Sequence, residues 1–273
     1  YSPQPPRPPL SVTIFKRGKC GVVGVSSKVE RIPTGIEQLD KYLQGGFPRG
    51  SWVFIAGEPG TGKSILCLHI ANTVLTRNVA PVIYVTTEQT FGSLVQQAEQ
   101  FGMGLNDYKE GGRLHIVDLF ELRSHAYGKA KGENRKKYAV ADPLDVNNLV
   151  DFLWTLVREG KIREPLIIID SLSAFWVDKP AMARRITYSM KVRLAKMSPT
   201  VIATLQYAVT TGSSFGFGAE HIADGIIQLN FEDVEKVREV RRWGIVKKMR
   251  LTNHYKRAWY FDIRPKEGFV IIK

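Results

Sequence analysis

From Pro33 onward, short apolar runs alternate with longer segments in which apolar residues recur at helical spacing. Five apolar runs predict buried strands: Trp52–Ala56, Val82–Thr86, Leu114–Val117, Leu166–Ile169 and Thr200–Leu205. Four helical patterns lie between the strands: Gly62–Thr76, Thr90–Phe101, Asp145–Glu159 and Pro180–Lys196. Continuous apolar strands joined by helical crossovers predict an α/β fold with a mostly parallel sheet flanked by helices.

The C-terminal part has a different pattern, in which four apolar runs follow one another without a helix: Ile226–Asn230, Trp243–Arg250, Trp259–Ile263 and Phe269–Ile272. We expect these runs to extend the sheet as C-terminal antiparallel strands, because short connections suit antiparallel pairing. Further upstream, the polar and basic segment Arg123–Tyr138 is predicted to be an excursion on the surface.

Residues 1–29 differ in composition from the rest of the chain. Residues 1–9 contain five prolines, which exclude a helix or an interior strand and favour an extended, polyproline-like tail. Two short β-like runs follow, Ser11–Phe15 and Gly21–Val25, and they predict either an accessory hairpin or a strand that pairs with a neighbouring molecule. We therefore divide the chain into a Pro-rich tail with accessory strands (1–29) and one folded domain (30–273).

Composition limits the class of protein. The 273 residues, 44% of them hydrophobic, are enough for one sizeable core. No apolar run reaches the length of about 18 residues that a membrane span needs, and the N-terminus has no secretory pattern, so we expect a cytoplasmic protein without membrane contact. The two cysteines, Cys20 and Cys67, provide neither a disulfide framework nor a metal-ligand cluster.

The net charge of +13 is concentrated in two parts of the chain. Residues 234–273 hold 12 Lys/Arg against 4 Asp/Glu, and Lys179–Lys196 holds six cations without an acid. Clustered cations favour a nucleic acid partner, because Lys and Arg placed on phosphates release condensed counterions. The alternative is a basic surface that serves solubility. In the second cluster, Arg184 and Arg185 are the candidate nucleic-acid contacts.

One segment matches the phosphate-binding pattern G-x-x-x-x-G-K-[ST] in full, between a predicted strand and a predicted helix. Its glycines allow backbone N–H groups to surround a phosphate at a helix N-terminus, where the dipole favours anions. We expect Lys63 to contact the β- and γ-phosphates of ATP and Ser64 to bind Mg²⁺, the alternative being a chance glycine-rich turn. The candidate nucleotide-binding residues are Gly57, Glu58, Pro59, Gly60, Thr61, Gly62, Lys63 and Ser64.

Two acidic residues follow predicted strands. Asp170 comes directly after Leu166–Ile169 and is predicted to hold Mg²⁺, although a strand-end aspartate can instead cap the next helix. Glu88 follows Val82–Thr86, a strand that we expect to neighbour the phosphate-loop strand. Glu88 is then either the general base that polarises the attacking water or an N-cap or surface acid.

The last crossover strand is followed by a polar residue and by a loop that we expect to be flexible. Gln206 follows Thr200–Leu205, where its amide is placed to sense the γ-phosphate. The loop after it is rich in Thr, Ser and Gly and contains Phe215 and Phe217. These two aromatic residues either stack on nucleic acid bases or pack in the core.

Several motifs occur in a defined order along the chain: Thr34-Gly35-Ile36, Leu39-Asp40, Gly45–Gly50, the phosphate loop, Val85–Gln89, Asp170–Ala174, Gly218–Gly225 and Lys248–His254. In this order they resemble a single-domain KaiC-like ATPase of the RecA/RadA superfamily, and most closely the archaeal RadA paralogues. The resemblance covers about residues 30–273. It implies a RecA-like P-loop NTPase core.

The resemblance implies roles that the residues alone leave open. Glu88 matches the catalytic glutamate, and Asp170 and Gln206 match the magnesium-binding and sensor positions. Lys248 and Arg250 match a basic pair that KaiC-like subunits insert into a neighbour's ATP site, which implies self-association with ATP between subunits. Without the resemblance, these two cations indicate only a solvated or nucleic-acid-facing strand.

The departures from the family pattern narrow the expected function. The chain has one ATPase domain where KaiC has two, which argues against a clock protein. It also lacks the helix-hairpin-helix domain of full RadA and the F-x-x-A motif of recombinases, although Tyr207–Phe217 lies where recombinases place a DNA-binding loop. We therefore expect a DNA-stimulated ATPase that binds single-stranded DNA and assists recombination or repair beside a recombinase or another repair protein. The alternative is a KaiC-like nucleotide-dependent switch or scaffold for protein partners.

Overall fold

The computed structural model describes residues 29–127, 145–206, 218–232 and 240–272, with the backbone alone for residues 124–127. The predicted tail and the accessory strands Ser11–Phe15 and Gly21–Val25 lie outside these residues, as does the loop that contains Phe215 and Phe217. Within the described ranges, no helix combines the length and the apolar character that crossing a membrane requires.

Strands and helices alternate through most of the described chain. The strands are β1 (Arg31–Ile32), β2 (Phe47–Pro48), β3 (Trp52–Gly57), β4 (Val82–Thr86), β5 (Leu114–Asp118), β6 (Leu166–Asp170), β7 (Thr200–Gln206), β8 (Gly225–Phe231), β9 (Arg242–Met249), β10 (Trp259–Arg264) and β11 (Gly268–Ile272). The α-helices are α1 (Glu37–Tyr42), α2 (Lys63–Thr76), α3 (Phe91–Gln100), α4 (Asn106–Glu110), α5 (Leu119–Tyr127), α6 (Val146–Glu159) and α7 (Ala183–Leu194). Short 3-10 turns cover Leu172–Trp176, Pro180–Met182, Ala195–Met197 and Ala219–His221. The five crossover strands and four helices predicted from the sequence are confirmed, with ends that differ by three residues or fewer.

Nine of the described strands form one sheet in the order β11-β10-β9-β8-β3-β7-β6-β4-β5. The strands from β8 to β5 run parallel, and β9, β10 and β11 continue the sheet in antiparallel fashion. The predicted sheet type is therefore confirmed, with one correction: the run Ile226–Asn230, expected to be antiparallel, forms β8 parallel to β3. Its direction follows from the path of the chain, because β7 ends at Gln206 on one edge and β8 begins on the other edge, where Gly225 pairs with Val53.

The prediction that Val82–Thr86 neighbours the phosphate-loop strand is wrong. The phosphate-loop strand β3 pairs with β7 and β8, whereas β4 pairs with β5 and β6. A hydrophobic pattern identifies a strand but not its neighbours, because a helical crossover can pass over strands that are added later in the sequence. The carboxyl ends of β3, β7, β6 and β4 nevertheless lie at the same edge of the sheet, because all four strands are parallel.

Helices cover both faces of the sheet, and each face has its own apolar core. On one face, α2 packs with α1 and α3 around residues such as Leu66 and Ile202. On the other face, α6 and α7 pack around residues such as Leu153 and Ile167. Each fully buried aliphatic side chain contributes about 1.5–3 kcal/mol. The two cores therefore hold the strand ends, and the groups on them, in fixed relative positions.

The segment Arg123–Tyr138, predicted as a surface excursion, begins inside a helix. Helix α5 continues to Tyr127, and residues 128–138 lie outside the described part of the chain. The helix is capped at its start because Asp118 Oδ1 accepts a 2.8 Å hydrogen bond from the backbone N–H of Glu121. Leu122 packs against the core below it. The short helices α1 and α4 were not predicted either, because each has only one or two turns.

Candidate active site

The phosphate loop Gly57–Ser64 connects β3 to α2, where the sequence pattern requires it. Gly62 has φ of +96°, a left-handed conformation that residues with a Cβ rarely adopt. At Gly57, an added Cβ would lie 2.3 Å from the backbone oxygen of Leu229 in β8. The conformation of the loop and its packing therefore require glycine at both positions.

Lys63 is the first residue of α2, and its side chain lies buried within the loop. Its Nζ donates hydrogen bonds to the backbone oxygens of Gly57 at 3.0 Å and Glu58 at 2.8 Å. Burial lowers the pKa of Lys63, and the negative charges of Asp170 and Glu88 partly oppose that shift. The ammonium group and the two predicted carboxylates are thus close enough to interact.

Two side chains fit a hydrated magnesium ion. Ser64 lies in the first turn of α2, and Asp170 is the last residue of β6. Asp170 is buried, and its carboxylate accepts hydrogen bonds from Thr204 Oγ1 at 2.6 Å and from the Tyr84 hydroxyl at 3.1 Å. The alternative role as a helix cap is not seen, because no side chain caps the 3-10 turn that begins at Leu172.

The chemistry of these donors agrees with magnesium rather than with a metal held by the protein alone. Mg²⁺ typically takes one or two protein oxygens and completes its shell with water and substrate phosphates. In the described ranges, no group of three or more His, Cys, Asp or Glu side chains is placed to hold a metal ion. A hydroxyl and a carboxylate beside a phosphate loop fit the first arrangement.

Glu88 lies two residues beyond β4, and its side chain contacts the ends of two other strands. Its Oε1 accepts hydrogen bonds from Ser171 Oγ at 2.7 Å and from Gln206 Nε2 at 2.6 Å. Glu88 is not the cap of α3, because Thr90 Oγ1 accepts the hydrogen bond from the backbone N–H of Ser93. An exposed carboxylate held beside the phosphate loop is suited to polarise a water molecule.

Sequence reasoning missed two polar residues that orient Asp170 and a third that holds Ser171, itself a donor to Glu88. Tyr84 and Thr204 donate to Asp170, and Thr87 Oγ1 accepts a 2.8 Å hydrogen bond from the backbone N–H of Ser171. A sequence signal for Thr204 does exist, because it is a polar residue inside an otherwise apolar strand. A buried hydroxyl in such a place needs a partner, and a neighbouring strand-end acid is the expected one.

Lys248 and Arg250 lie at the amino ends of β3 and β8, whereas the phosphate loop of the same chain lies at the carboxyl end of β3. The Lys248 ammonium donates a 2.6 Å hydrogen bond to the backbone oxygen of Ala223, and the backbone N–H of Arg250 donates a 2.8 Å bond to that of Asp224. Asp224 in turn pairs with Trp52, the first residue of β3. The loop begins five residues further along β3, roughly 16 Å away at about 3.3 Å per residue. Neither cation is therefore placed to contact a nucleotide bound to its own chain.

Asp224 organises this second edge. Its Oδ2 accepts hydrogen bonds from Lys191 Nζ at 2.6 Å and from the backbone N–H of Trp52 at 2.9 Å, and its Oδ1 accepts one from Arg250 at 2.8 Å. Burial alone would raise the pKa of Asp224, but these hydrogen bonds and the charge of Lys191 outweigh it and lower the pKa. Burial, reinforced by the charge of Arg250, lowers the pKa of Lys248. The edge therefore has three cations around one carboxylate.

Arg184 and Arg185 are exposed in the first turn of α7. Helix α7 follows β6 and precedes β7, so its N-terminal end faces the same edge of the sheet as the phosphate loop. Among the described residues, neither guanidinium group is paired with a carboxylate. The predicted cluster Lys179–Lys196 offers a nucleic acid fewer free cations than its six Lys and Arg residues indicate. Two of them, Lys191 and Arg193, form ion pairs with acids of the same chain.

Comparison with known proteins gives a consistent result. The sequence profile of the KaiC ATPase family matches residues 32–273. A UPF0273 protein of Methanocaldococcus jannaschii is 34% identical over 243 residues, which cover 89% of this chain and 96% of the relative. A UPF0273 protein of Thermotoga maritima is 35% identical over the same shares. The crystal structure of a KaiC-like protein from Pyrococcus horikoshii superimposes with a TM-score of 0.72 at 25% identity, over 90% of this chain and 100% of the other.

Proposed function

Because the chain belongs to the KaiC-like ATPase family, whose fold is of the RecA type, we propose that it binds ATP with Mg²⁺ and hydrolyses the ATP. The observation that carries this proposal is the convergence of Lys63, Asp170, Glu88 and Gln206 at one edge of the sheet. Phosphoryl transfer depends mainly on positioning and on stabilising charge, and this edge offers groups for both.

Each side chain at this edge has a defined task in the proposed reaction. Lys63 exchanges its contacts with backbone oxygens for contacts with the β- and γ-phosphates. Ser64 and Asp170 hold Mg²⁺, which neutralises phosphate charge when it is bound. Glu88 orients the attacking water and accepts its proton. Gln206 links the base with the γ-phosphate, a role that its 2.6 Å hydrogen bond to Glu88 supports.

The second part of the proposal is that a neighbouring copy completes each site. Lys248 and Arg250 are held at the far edge of the sheet, beyond reach of their own loop. A cation that stabilises transition-state charge on phosphate must lie against the transferred group. Their position in the structure and their match to the family's inserted basic pair support a role in trans.

The third part is that hydrolysis is coupled to single-stranded DNA, in a protein that assists recombination or repair as a RadA paralogue does. This coupling is supported by exposed cations at the N-terminal end of α7, at the edge of the sheet where the phosphate loop lies. A DNA strand bound to these cations would lie close to the ATP site. Arg184 and Arg185 are the residues proposed to contact phosphates. A recombinase or another repair protein is the partner expected at such a complex.

The experiment that tests the chemistry is steady-state ATP hydrolysis by Glu88→Gln and Lys63→Ala, with ATP affinity measured by calorimetry. Glu88→Gln is expected to keep ATP affinity and to lose about 10²–10⁴-fold in turnover, the usual contribution of a general base. Lys63→Ala is expected to weaken both binding and turnover. Glu99→Gln, an exposed acid on α3, is the matched control and should behave like the wild-type protein.

The same assay distinguishes the proposed DNA-linked function from the alternative. Turnover that rises with single-stranded DNA, and loses this rise in high salt, supports the DNA-linked ATPase. Slow turnover that DNA leaves unchanged supports a nucleotide-dependent switch for protein partners instead. Undiminished hydrolysis by Glu88→Gln contradicts the assignment of the base in either case.

A further inference from the structure

The carboxylate of Asp170 is held from both sides by hydroxyl groups of neighbouring strands. Thr204 Oγ1, on β7, donates to one oxygen at 2.6 Å, and the Tyr84 hydroxyl, on β4, donates to the other at 3.1 Å. Tyr84 and Thr204 are almost completely buried, with 1% and 0% of their surface exposed. The two carboxylate oxygens are thus each fixed by a donor that has no access to solvent.

The register of the sheet creates this arrangement. Thr86 is paired with Asp170, so Tyr84, two residues earlier, is on the same face because side chains alternate along a strand. On the other side, Ile169 is paired with Ala203, which places Thr204 beside Asp170. Both hydroxyls therefore reach the carboxylate from strands that flank it, on the face that α2 covers.

A hydrogen bond at each oxygen limits how the carboxylate can rotate. Groups that hydrogen-bond a metal ligand set the direction of the ligand, and losing one such group typically costs 10–100-fold in metal affinity. We infer that Tyr84 and Thr204 are positioning residues for the metal site, which direct Asp170 towards the Mg²⁺ that accompanies ATP. This inference rests on the proposed ATPase function and adds two residues to it.

Tyr84 lies inside the core, and its hydroxyl donates to Asp170 from there. A phenylalanine at this position would fill the same space in the core without this hydrogen bond.

The test is a magnesium titration of nucleotide binding by the full chain, with N-methylanthraniloyl-ADP as the fluorescent probe. Tyr84→Phe and Thr204→Val are expected to raise the Mg²⁺ concentration at half-saturation about 10-fold, with little change in binding of the probe without metal. Thr204→Ser restores a hydroxyl and should return the midpoint to the wild-type value. Tyr108→Phe is the matched control, because its hydroxyl contacts Thr76, away from Asp170.

Two results would overturn the inference while leaving ATP binding intact. One is an unchanged magnesium midpoint in both Tyr84→Phe and Thr204→Val. The other is equal weakening of probe binding with and without Mg²⁺, which indicates that the hydroxyls serve only the packing of the sheet. If wild-type protein binds the probe without any response to Mg²⁺, the metal-dependent function itself fails, and this outcome is visible before any variant is made.

Discussion

Gly57, the first residue of the phosphate loop, is paired with Leu229 of β8. A Cβ at this position would lie 2.3 Å from the backbone oxygen of Leu229 and 2.9 Å from Thr61 Oγ1. A clash with a backbone atom cannot be relieved by rotating a side chain. Either β8 or the loop would therefore have to move.

Gly57→Ala is therefore expected to reduce the free energy of unfolding by about 1–3 kcal/mol, the usual cost of overpacking, and to weaken ATP binding. Urea denaturation and calorimetry measure the two effects. Gly104→Ala is the control, because a Cβ there meets no atom within 4 Å. Equal stability of the two variants would contradict the steric argument.

Asp224 is a second residue whose environment has a measurable consequence. Its folded-state pKa is below the ordinary value of 3.8, because Lys191, Trp52 and Arg250 donate to its charged form. A lowered carboxylate pKa stabilises the fold at pH values above 3.8, and this contribution disappears as the pH falls through the folded-state pKa.

Asp224→Asn is expected to lower the free energy of unfolding by about 1–3 kcal/mol at pH 7, the range for a disrupted buried hydrogen bond. The deficit relative to wild type should shrink as the pH falls from 3.8 through the folded-state pKa, because the unfolded carboxylate binds a proton before the folded one does. Denaturant unfolding at a series of pH values checks this. Asp178→Asn, an exposed acid, is the control, and a deficit that stays constant down to pH 3 would exclude the electrostatic origin.

At the scale of secondary structure, α7 connects the two edges of the sheet. Its first turn presents Arg184 and Arg185 on the nucleotide edge, and two turns later Lys191 binds Asp224 on the opposite side. The cations in the first turn of the helix are therefore exposed, whereas Lys191, near its last turn, forms an ion pair within the protein. Only the exposed end is suited to bind phosphates of a nucleic acid.

The double variant Arg184→Gln/Arg185→Gln is expected to weaken single-stranded DNA binding and to flatten its dependence on salt. The slope of log K against log salt should fall by about 1.4, at roughly 0.7 per phosphate contact on a single strand. Fluorescence anisotropy at several salt concentrations measures this. Arg158→Gln/Arg163→Gln removes the same charge from exposed positions elsewhere and should leave the slope unchanged. An equal loss in both double variants would indicate a nonspecific effect of net charge.

Elements with a strong hydrophobic pattern could be predicted from the sequence, and those that depend on distant partners could not. Strands β3, β4 and β6 are buried along their whole length, so their apolar runs identify them directly. The order of strands depends on packing between helices, which no local pattern contains. Helix α5 was missed because a single cap and one apolar face define it in a polar segment.

The candidate site shows the same division. The phosphate loop and Asp170 could be found because a spacing motif and a strand-end acid carry their own signal. Asp224 could not, because its partners Trp52, Lys191 and Arg250 are far apart in the sequence. The hydrogen bond between Glu88 and Gln206 also required the fold, since 118 positions separate the two residues.

At the scale of the whole molecule, two edges of the sheet carry different groups. The nucleotide edge, at the carboxyl ends of the parallel strands, carries Lys63, and the cation edge, at their amino ends, carries Lys248 and Arg250. If the cations act in trans, a site contains Lys63 from one subunit and Arg250 from the next. A subunit that lacks only one of these residues still offers the other. Two inactive variants can then form an intact site between them.

Mixing Lys63→Ala with Arg250→Ala protein is expected to restore ATP hydrolysis, to about a quarter of the wild-type rate in an equal, randomly assembled mixture. Mixing Lys63→Ala with Glu88→Gln is the control. Both of these changes lie on the nucleotide edge, so no subunit pair can form an intact site. Restoration in the control, or none in the first mixture, would exclude completion of the site between subunits.

The opposite placement of the two edges also restricts the symmetry of such an assembly. A two-fold axis brings identical surfaces together, whereas completion of the site in trans requires unlike surfaces to meet. Subunits must then add head to tail, each rotated from the last by the same angle, until a full turn closes the series. In a closed series every nucleotide has a neighbour's cations beside it, and in an open one the terminal subunit has none. The fraction of ATP sites that cannot hydrolyse ATP would therefore equal the fraction of subunits that lie at a free end of the assembly.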